Sequence, residues 1–533
     1  PLRRRSFIWQ AHGPSATGDV TSVPAMYCMC WADPGLPSIE LGSLDRSSPV
    51  LLLRSSPAID AMDRAISDCL LLEAPVTVQS MGMRLPASTA LEGHVGAYSV
   101  LMGLLREQHY GRYEKMVISS GAALSSEVLA AITRLSSRPV SRSSDAALRA
   151  KWRLVALTLS SCYTAPDTRV VCDAIRLVQQ LVLLTPSPQL LFLSRGDAPL
   201  PASSMPPGVS TPSRGGVVGL VRVLQQEHVA LRALAATLDT SSVQGRGSAA
   251  YGSMLAAAQT AGRGESQLAW SHGQQLAPRL RHAVDASTVR AQASSGVYPA
   301  GTLLVSGGLG GLGLRAAELM RAHGAPKMVL ASRSGWVVRG GQGLERQLLA
   351  LRSAASVALA DLSDAADACA LLRSQSSAAS LSIFHAAGVG DKGLLRGVGA
   401  DGVRAAFAPK AGGAGHLHAI TPQLCLGELV LFSSVASAFG NVGQATYGAA
   451  NAYLDALARC RVAHAARASA LHLPLVTGAG MGALLVGDGS RAGFSGMSSI
   501  TLDAFASALS VVILSARAPA LVGATPLPLL SSG

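Results

Sequence analysis

Short hydrophobic runs alternate with helix-like patterns along the first half of the chain. Apolar runs predict strands at residues 26–31, 51–53, 76–81 and 190–194. Apolar positions three and four residues apart predict helices at 146–159, 173–184 and 217–228. A loop rich in Pro, Ser and Gly is expected at 197–216. Strands that alternate with helices are typical of an α/β fold.

A second α/β pattern follows a stretch of small polar residues at 285–295, which predicts a domain boundary there. A helix is predicted at 312–323. Short apolar runs predict strands at 302–305, 327–331, 356–360, 381–385, 429–432 and 468–473. Such runs are apolar on both faces, which is typical of a parallel sheet covered by helices.

Composition excludes several classes of protein. Hydrophobic residues make up 49 % of the 533 positions and charged residues 14 %, so extended disorder and a coiled coil are poor fits. The richest apolar stretch, 177–193, is interrupted by glutamines and prolines and is shorter than the ~20 residues that cross a bilayer. We therefore expect a globular, cytoplasmic protein without a membrane span.

The net charge of +13 favours anionic partners. Nucleic acid is not expected, because the basic residues are scattered and not interleaved with aromatic ones. The eight cysteines include no Cys-x-x-Cys and the histidines no His-Glu-x-x-His, so no metal site is predicted. Because the chain begins at Pro1 rather than Met, we expect it to be a segment of a longer polypeptide.

A glycine-rich loop stands between the first strand and the first helix of the second half. It contains the pattern Gly308-x-Gly310-x-x-Gly313. Glycines let the backbone approach a pyrophosphate, whose charge is stabilised by free N–H groups at a helix N-terminus. A glycine-rich turn without a ligand is the alternative.

The residues after the next two strands bear on which dinucleotide would bind. An NAD site usually places Asp or Glu after the second strand, whereas this chain has Ser332 and Arg333. A guanidinium suits a 2′-phosphate and favours NADPH, although a solvated surface arginine would look the same. Asp361 could accept a hydrogen bond from the adenine amino group, or it could be an ordinary carboxylate at a strand end.

Four polar residues form a candidate catalytic set. Ser434 ends a predicted strand, and Tyr447 and Asn451 are four residues apart, so they share one face of a helix. A phenol needs a nearby cation to act as an acid or base near neutral pH, and Lys410 is the candidate. Each residue taken alone has an ordinary structural role as the better explanation. The set as a whole, downstream of a dinucleotide loop, favours catalysis.

These segments, together with His385, Ala386, Ala387 and Gly388, resemble the ketoreductase domain of modular type I polyketide synthases and related fatty acid synthases. That family is a branch of the short-chain dehydrogenase/reductases. Most of the superfamily has Lys four residues after the Tyr, whereas this branch has Asn there and takes the Lys from an earlier helix. Lys410 and Asn451 match the branch.

The resemblance implies two Rossmann-like, doubly wound α/β subdomains. We expect a linker at 1–23, a truncated structural subdomain without cofactor at 24–290, and a short-chain dehydrogenase/reductase subdomain at 296–533. The first half does contain a glycine cluster at 215–219. That cluster lacks Gly-x-Gly-x-x-Gly and follows a long loop rather than a strand, so it also argues against a cofactor there.

The activity implied is reduction by NADPH of a β-ketoacyl thioester on the phosphopantetheine of an acyl carrier protein, beside other megasynthase domains. Tyr447 would donate a proton, Ser434 would polarise the carbonyl, Lys410 would lower the Tyr447 pKa and hold the ribose, and Asn451 would support a relay. The expected cofactor contacts are Gly307, Gly308, Gly310, Gly311, Leu312, Gly313, Ser332, Arg333, Asp361, Leu362, His385, Ala386, Ala387 and Gly388.

The chain departs from the family pattern at three places. Residues 390–392 read Gly-Asp-Lys where many members have Leu-Asp-Asp, and Phe439 stands where the opposite stereochemical class has Trp, so the product configuration stays open. The usual Asn-Trp-Gly region is replaced by His472, Leu473 and Pro474, which bears on the shape of the substrate loop.

Two other functions remain as alternatives. A reductase-like module could bind the carrier or stabilise a megasynthase without reducing anything. An NAD(P)-dependent sugar epimerase or a free-standing alcohol dehydrogenase would share the phosphate loop, but neither explains the displaced Lys410 or the long first half.

Overall fold

The structure, a computed structural model, describes parts of both halves of the chain. The described residues are 25–32, 50–53, 115–119, 154–159, 164–184, 187–196, 212–239, 265–271, 274–284, 301–338, 340, 342–376, 378, 380–390, 393–478, 480, 499–514 and 522–527. The strand predicted at 76–81 lies outside these residues.

One continuous sheet joins the two halves. Within the described residues its strands are β1 (Ala25–Ala32), β2 (Val50–Leu53), β3 (Lys115–Ser119), β4 (Leu154–Leu159), β5 (Gln189–Gly196), β6 (Leu234–Asp239), β7 (Gln267–Ser271), β8 (Gln274–Val284), β9 (Thr302–Ser306), β10 (Lys327–Ser332), β11 (Ala355–Leu359), β12 (Leu381–His385), β13 (Leu426–Ser434), β14 (Ala468–Leu473) and β15 (Val522–Leu527). Their order across the sheet is β11-β10-β9-β12-β13-β14-β15-β1-β8-β7-β6-β5-β4-β3-β2.

Helices cover the faces of this sheet. Those described are α1 (Thr168–Leu181), α2 (Pro212–Glu227), α3 (Gly311–Ala322), α4 (Leu344–Leu351), α5 (Ala365–Arg373), α6 (Ala400–Phe407), α7 (Gly413–Ile420), α8 (Val435–Phe439), α9 (Ala445–Ala463) and α10 (Leu502–Leu514). A π-helical turn, Ala408–Gly412, separates α6 from α7. None of the described helices combines the length and the apolar character needed to cross a bilayer.

The second half is a doubly wound parallel sheet. From β9 the chain moves outward through β10 to β11, then returns to pair β12 with the other side of β9 and continues through β13 and β14 to β15. The order therefore reverses at β9 and β12. In open α/β sheets, ligands bind beyond the carboxyl ends of the strands at such a reversal.

The first half repeats the parallel arrangement in a shorter form. Strands β2 to β7 pair in parallel, and β8 turns back antiparallel to β7. Strand β1 then pairs antiparallel with both β8 and β15, so it closes the junction between the halves. The α/β class predicted from the sequence is confirmed.

A close helix contact also joins the halves. Helix α2 packs on α9, and a Cβ atom on Gly219 would lie only 2.3 Å from the carbonyl oxygen of Gly448. At Gly215 the corresponding distance, to the Ala452 oxygen, is 2.6 Å. The glycine cluster of the first half thus brings two helix backbones together, and side chains around it belong to one core cluster spanning both halves.

Two local predictions are wrong. Residues 154–159, predicted as the end of a helix, form β4, because the run pairs with both β3 and β5 and buries Val155, Ala156, Leu157 and Leu159. A short apolar run has no periodicity that separates a buried strand from a helix. The loop predicted for 197–216 ends earlier, since α2 begins at Pro212, whose fixed φ suits a first helical turn.

Candidate active site

The glycine-rich loop has the shape that a phosphate group needs. It leaves β9 at Ser306, and Gly307 has φ +65°, a conformation that favours glycine. A Cβ atom on Gly308 would lie 2.8 Å from the Leu330 Cα, and one on Gly313 would lie 2.4 Å from the Gly307 oxygen. The loop therefore packs backbone against backbone, as the sequence pattern predicts.

Helix α3 begins directly after this loop. Gly310 is its N-cap, and the Leu314 N–H donates to the Gly310 oxygen at 2.9 Å. The N–H groups of Gly311, Leu312 and Gly313 precede that bond and point out of the first turn. They form an N-terminus suited to an anion.

A cavity of about 420 Å³ lies beside the loop at the carboxyl ends of β9, β10, β11 and β12. Its wall contains Ser332 and the exposed Arg333 after β10. Residues predicted from the sequence that line it are Gly307, Ser332, Arg333, Asp361, Leu362, Ala387 and Gly388. One Asp361 oxygen already accepts from the Ser363 N–H and hydroxyl at 3.0 and 2.7 Å, which forms a tight turn.

His385, predicted as a cofactor contact, lies beneath the groove instead. Its ring is fully buried, with Nε2 2.8 Å from the Lys410 carbonyl oxygen and Nδ1 2.6 Å from the Ser306 hydroxyl. Burial lowers the pKa of His385 to about 4, so the ring is neutral. The carbonyl can only accept, so Nε2 carries the proton and Nδ1 accepts from Ser306. His385 therefore fixes the Lys410 backbone to the start of the phosphate loop.

Lys410 lies in the π-helical turn, and its side chain enters the site from there. The side chain is 4 % exposed, and its Nζ donates to the Phe432 carbonyl oxygen at 3.0 Å. The same Nζ is 5.5 Å from the centroid of the Tyr447 ring. Burial lowers the pKa of Lys410 to about 8, against the opposing attraction of the Asp455 carboxylate. The amine is thus charged at neutral pH and close to its titration.

Tyr447 lies in the first turns of α9, with Asn451 one turn later on the same face. Burial raises the pKa of Tyr447, while hydrogen bonds with the Ser434 and Asn451 side chains act in the opposite direction. The Lys410 ammonium, 5.5 Å from the ring centroid, donates to the Phe432 carbonyl oxygen, and the expected lowering of the Tyr447 pKa by its charge stays a prediction. The phenol stays protonated at neutral pH.

Ser434 and Asn451 are both held by backbone contacts. Ser434 is the N-cap of α8, where its hydroxyl oxygen accepts from the Ala436 N–H at 3.2 Å. Its proton remains available for another acceptor. Asn451 is fully buried, and its Nδ2 donates to the Tyr447 carbonyl oxygen at 2.8 Å. Among the described residues its Oδ1 has no hydrogen-bond partner, so this oxygen can accept from a water molecule.

A buried polar network that the sequence analysis missed supports the four residues. The Asp455 carboxylate lies 3.0 Å from the His472 Nε2 and 2.6 Å from the Ser437 hydroxyl, which is itself 2.7 Å from the Ser434 carbonyl oxygen. Burial alone would raise the pKa of Asp455, but the His472 ring holds it at about 2. Asp455 lies four residues after Asn451, so the sequence spacing alone places both residues on the same face of a helix.

Sequence-predicted residues from distant parts of the chain thus meet at one edge of the sheet. Ser434, Tyr447, Lys410 and Asn451 lie together, and the loop between Ser306 and Gly313 opens beside them. Across the described residues, no group of three or more His, Cys, Asp or Glu side chains could hold a metal ion.

The comparisons with known proteins agree with this geometry. Residues 301–478 match the family described as the KR domain. Polyketide synthase GfsA of Streptomyces halstedii is 39 % identical over 212 residues, which cover 39 % of this chain and 3 % of that protein. The chain therefore spans a small part of the length of this relative.

Solved structures are similar over almost the whole chain. A structure of A-type ketoreductases from a modular polyketide synthase has a TM-score of 0.68 at 25 % identity and covers 95 % of this chain and 93 % of that one. A structure of an A1-type ketoreductase has a TM-score of 0.66 at 26 % identity, with the same coverage. The similarity includes the first half, which the family match does not reach.

Proposed function

We propose that the chain uses NADPH to reduce a β-ketoacyl thioester to a β-hydroxyacyl thioester, because residues 301–478 match the KR domain family and the chain is similar in structure to ketoreductases of modular polyketide synthases. One observation carries the proposal. A buried ammonium, a protonated phenol and a serine hydroxyl converge beside a glycine loop that opens at a helix N-terminus.

The residues present fit a reduced dinucleotide phosphate. The loop of Gly307, Gly308 and Gly313 leaves no room for side chains, so a pyrophosphate can approach the backbone. Arg333 stands on the cavity wall without a carboxylate in the position that usually binds the ribose 2′-OH, which favours a 2′-phosphate. Asp361 and Leu362 would border the adenine. The subdomain divisions at 1–23, 24–290 and 296–533 are part of the same proposal.

A reduced dinucleotide held by the loop from Gly307 to Gly313 would supply the hydride for the β carbon of the substrate. Ser434 donates a hydrogen bond to the ketone oxygen and polarises it. Tyr447 donates its proton to the same oxygen, which becomes the hydroxyl group. The charge of Lys410 favours the Tyr447 phenolate that is left. Asn451 accepts a hydrogen bond from a water molecule, and this water returns a proton to Tyr447.

The substrate is proposed to arrive on the phosphopantetheine arm of an acyl carrier protein, with other synthase domains nearby. The resemblance to modular synthases implies this carrier, and the relatives are named polyketide synthases. The net charge of +13 is compatible with an acidic carrier.

Replacement of Tyr447 by Phe tests the proposal. The variant keeps the ring but lacks the proton donor, so turnover of a β-ketoacyl N-acetylcysteamine thioester should fall by about 10²- to 10⁴-fold while NADPH binding is unchanged. Turnover is followed by NADPH oxidation, and the hydroxyacyl product is identified by mass. Near-normal turnover in Tyr447→Phe would contradict the role of Tyr447 as the proton donor.

Tyr453→Phe is the matched control. Tyr453 lies on the same helix and donates its hydroxyl proton to the Thr164 carbonyl oxygen at 2.7 Å, away from Ser434. Loss of this hydrogen bond should reduce the free energy of unfolding by about 1 kcal/mol and leave turnover unchanged. A wild-type protein that binds NADPH but forms no hydroxyacyl product would instead support the silent scaffold alternative.

A further inference from the structure

One carboxylate of the first half reaches into the second half. Glu227, at the end of α2, accepts from the Leu395 N–H at Oε2, at 2.7 Å, and from the Gly443 N–H at Oε1, at 2.8 Å. The two amides lie 168 and 216 residues away in sequence. Both oxygens of a single side chain therefore join two separate loops.

Each of these two loops connects to a residue of the proposed reaction site. Gly443 is four residues before Tyr447, and Leu395 follows the loop in which Gly388 packs against the Lys410 side chain. The loops touch each other, because the Gly393 N–H donates to the Gly443 oxygen at 3.0 Å. The carboxylate therefore joins two loops next to Tyr447, where the acyl substrate would enter if the proposed function is right.

Each of the two amides that donate to Glu227 follows a residue with an exposed apolar side chain. Leu394 is 58 % exposed and Val442 is 48 % exposed. Large apolar side chains on both loops are suited to contact an acyl chain or the pantetheine arm that carries it. Their positions depend on the backbone that Glu227 holds.

Other side chains of the first half hold the same loops through carbonyl groups. Gln179 of α1 donates to the Leu395 oxygen at 3.0 Å and to the Val398 oxygen at 2.9 Å. From α2, Gln226 donates to the Phe439 oxygen at 2.7 Å. These neutral side chains each hold the end of one loop. Of the three side chains, Glu227 is the one that accepts hydrogen bonds from both loops.

We propose that Glu227 is a positioning residue for the reduction: it sets the spacing of the two loops and so the way in which the β-ketoacyl chain enters. This inference rests on the proposed function. A carboxylate is required because it accepts at both oxygens. Glutamine has the same shape but would turn an NH₂ group towards one of the N–H donors.

Glu227→Gln tests the inference, with Gln225→Glu as control. Gln225 is on the same helix and donates to the Ala233 and Glu265 oxygens at 2.6 and 2.7 Å, entirely within the first half. The control makes the reverse isosteric exchange and also breaks two hydrogen bonds. Both variants should lose thermal stability, but the control should leave the loops in place.

The expected result is specific to the entrance. In Glu227→Gln, amide hydrogen exchange at Leu395 and Gly443 should accelerate, and kcat/KM for the thioester should fall by about 10- to 100-fold, as for a small misplacement of substrate. The KM for NADPH should stay unchanged, and the ratio of the two hydroxyl configurations should shift. Gln225→Glu should show none of these three changes in exchange, kcat/KM and product ratio.

Three results would overturn the inference. They are unchanged exchange at both amides in Glu227→Gln, unchanged thioester kinetics and product configuration in that variant, or equal effects in Gln225→Glu. The exchange measurement needs no turnover. A wild-type protein without reductase activity would therefore refute the proposed function, while accelerated exchange would still show that the carboxylate holds the loops.

Discussion

The Lys410 ammonium lies 5.5 Å from the centroid of the Tyr447 ring and is held there by the Phe432 carbonyl oxygen. The two residues come from different helices, and a π-helical turn aims the lysine into the site. Single π-turns are frequent at functional sites because they redirect side chains at the cost of regular hydrogen bonding. A buried cation is thereby placed beside a phenol whose pKa burial has raised.

The titration of Lys410 should limit the reaction at high pH. Because its pKa is about 8, the rate of thioester reduction should fall as the pH rises through that value and the ammonium loses its proton. The measurement is kcat between pH 6 and 10. Lys410→Met should have a low rate without this alkaline limb, and a wild-type rate that is flat from pH 7 to 9.5 would contradict the assignment.

The titration of Lys410 should change the free energy of unfolding in the opposite direction, so that stability rises with pH where the reaction rate falls. Between pH 8 and the ordinary value of 10.5, the unfolded chain binds the Lys410 proton while the folded one does not. The contribution of Lys410 to the free energy of unfolding therefore rises with pH through this range. Subtracting the denaturation data of Lys410→Met from those of the wild type isolates this contribution. A difference that falls with pH would show that the lysine is not desolvated.

Asp455 should determine where the alkaline limb lies. Its carboxylate raises the pKa of Lys410, so Asp455→Asn should move the limb to lower pH. Glu428→Gln is the matched control, since Glu428 is also a buried carboxylate but pairs with Ser469. An unshifted limb in Asp455→Asn, or an equal shift in Glu428→Gln, would mean that Lys410 is not the titrating group.

Much of this site could be predicted from local sequence. The glycine spacing after β9 and the four-residue spacing of Tyr447 and Asn451 each follow from the geometry of one element, and the structure places them as that geometry requires. Strand β4 could not be predicted this way, because its apolar run is read as a strand only when β3 and β5 are there to pair with it.

Long-range contacts account for the rest. Nothing in the sequence around Glu227 points to the Leu395 and Gly443 amides, since the partners meet only after the halves have packed. In the sequence, His472 is only a departure from the family pattern. The structure gives it a partner, the Asp455 carboxylate, which the packing of α9 against β14 brings within reach.

Arg333 should decide between the two dinucleotides. It lines the cavity as an exposed cation, so Arg333→Gln should raise the KM for NADPH by about 10- to 100-fold, as expected for loss of a charged hydrogen bond. The KM for NADH should change little. Arg346→Gln removes an exposed arginine of α4 outside the cavity and should leave both constants unchanged. An equal rise in the KM for NADPH and in the KM for NADH in Arg333→Gln would exclude contact with a 2′-phosphate.

Gly388 should be required for the position of Lys410. A Cβ atom at Gly388 would lie 2.7 Å from the Lys410 Cε and 3.1 Å from its Nζ, so Gly388→Ala should displace the ammonium. Displacement of a catalytic group by about 1 Å can cost 10²-fold, and a fall of that order in kcat is expected, with the protein still folded. Gly397→Ala is the control, because a Cβ atom there would meet nothing within 4 Å. Since the clash is with the flexible end of a side chain, Gly388→Ala tests the ammonium position rather than the fold. Normal kcat with normal pH dependence in this variant would show that Lys410 can leave its observed place without consequence.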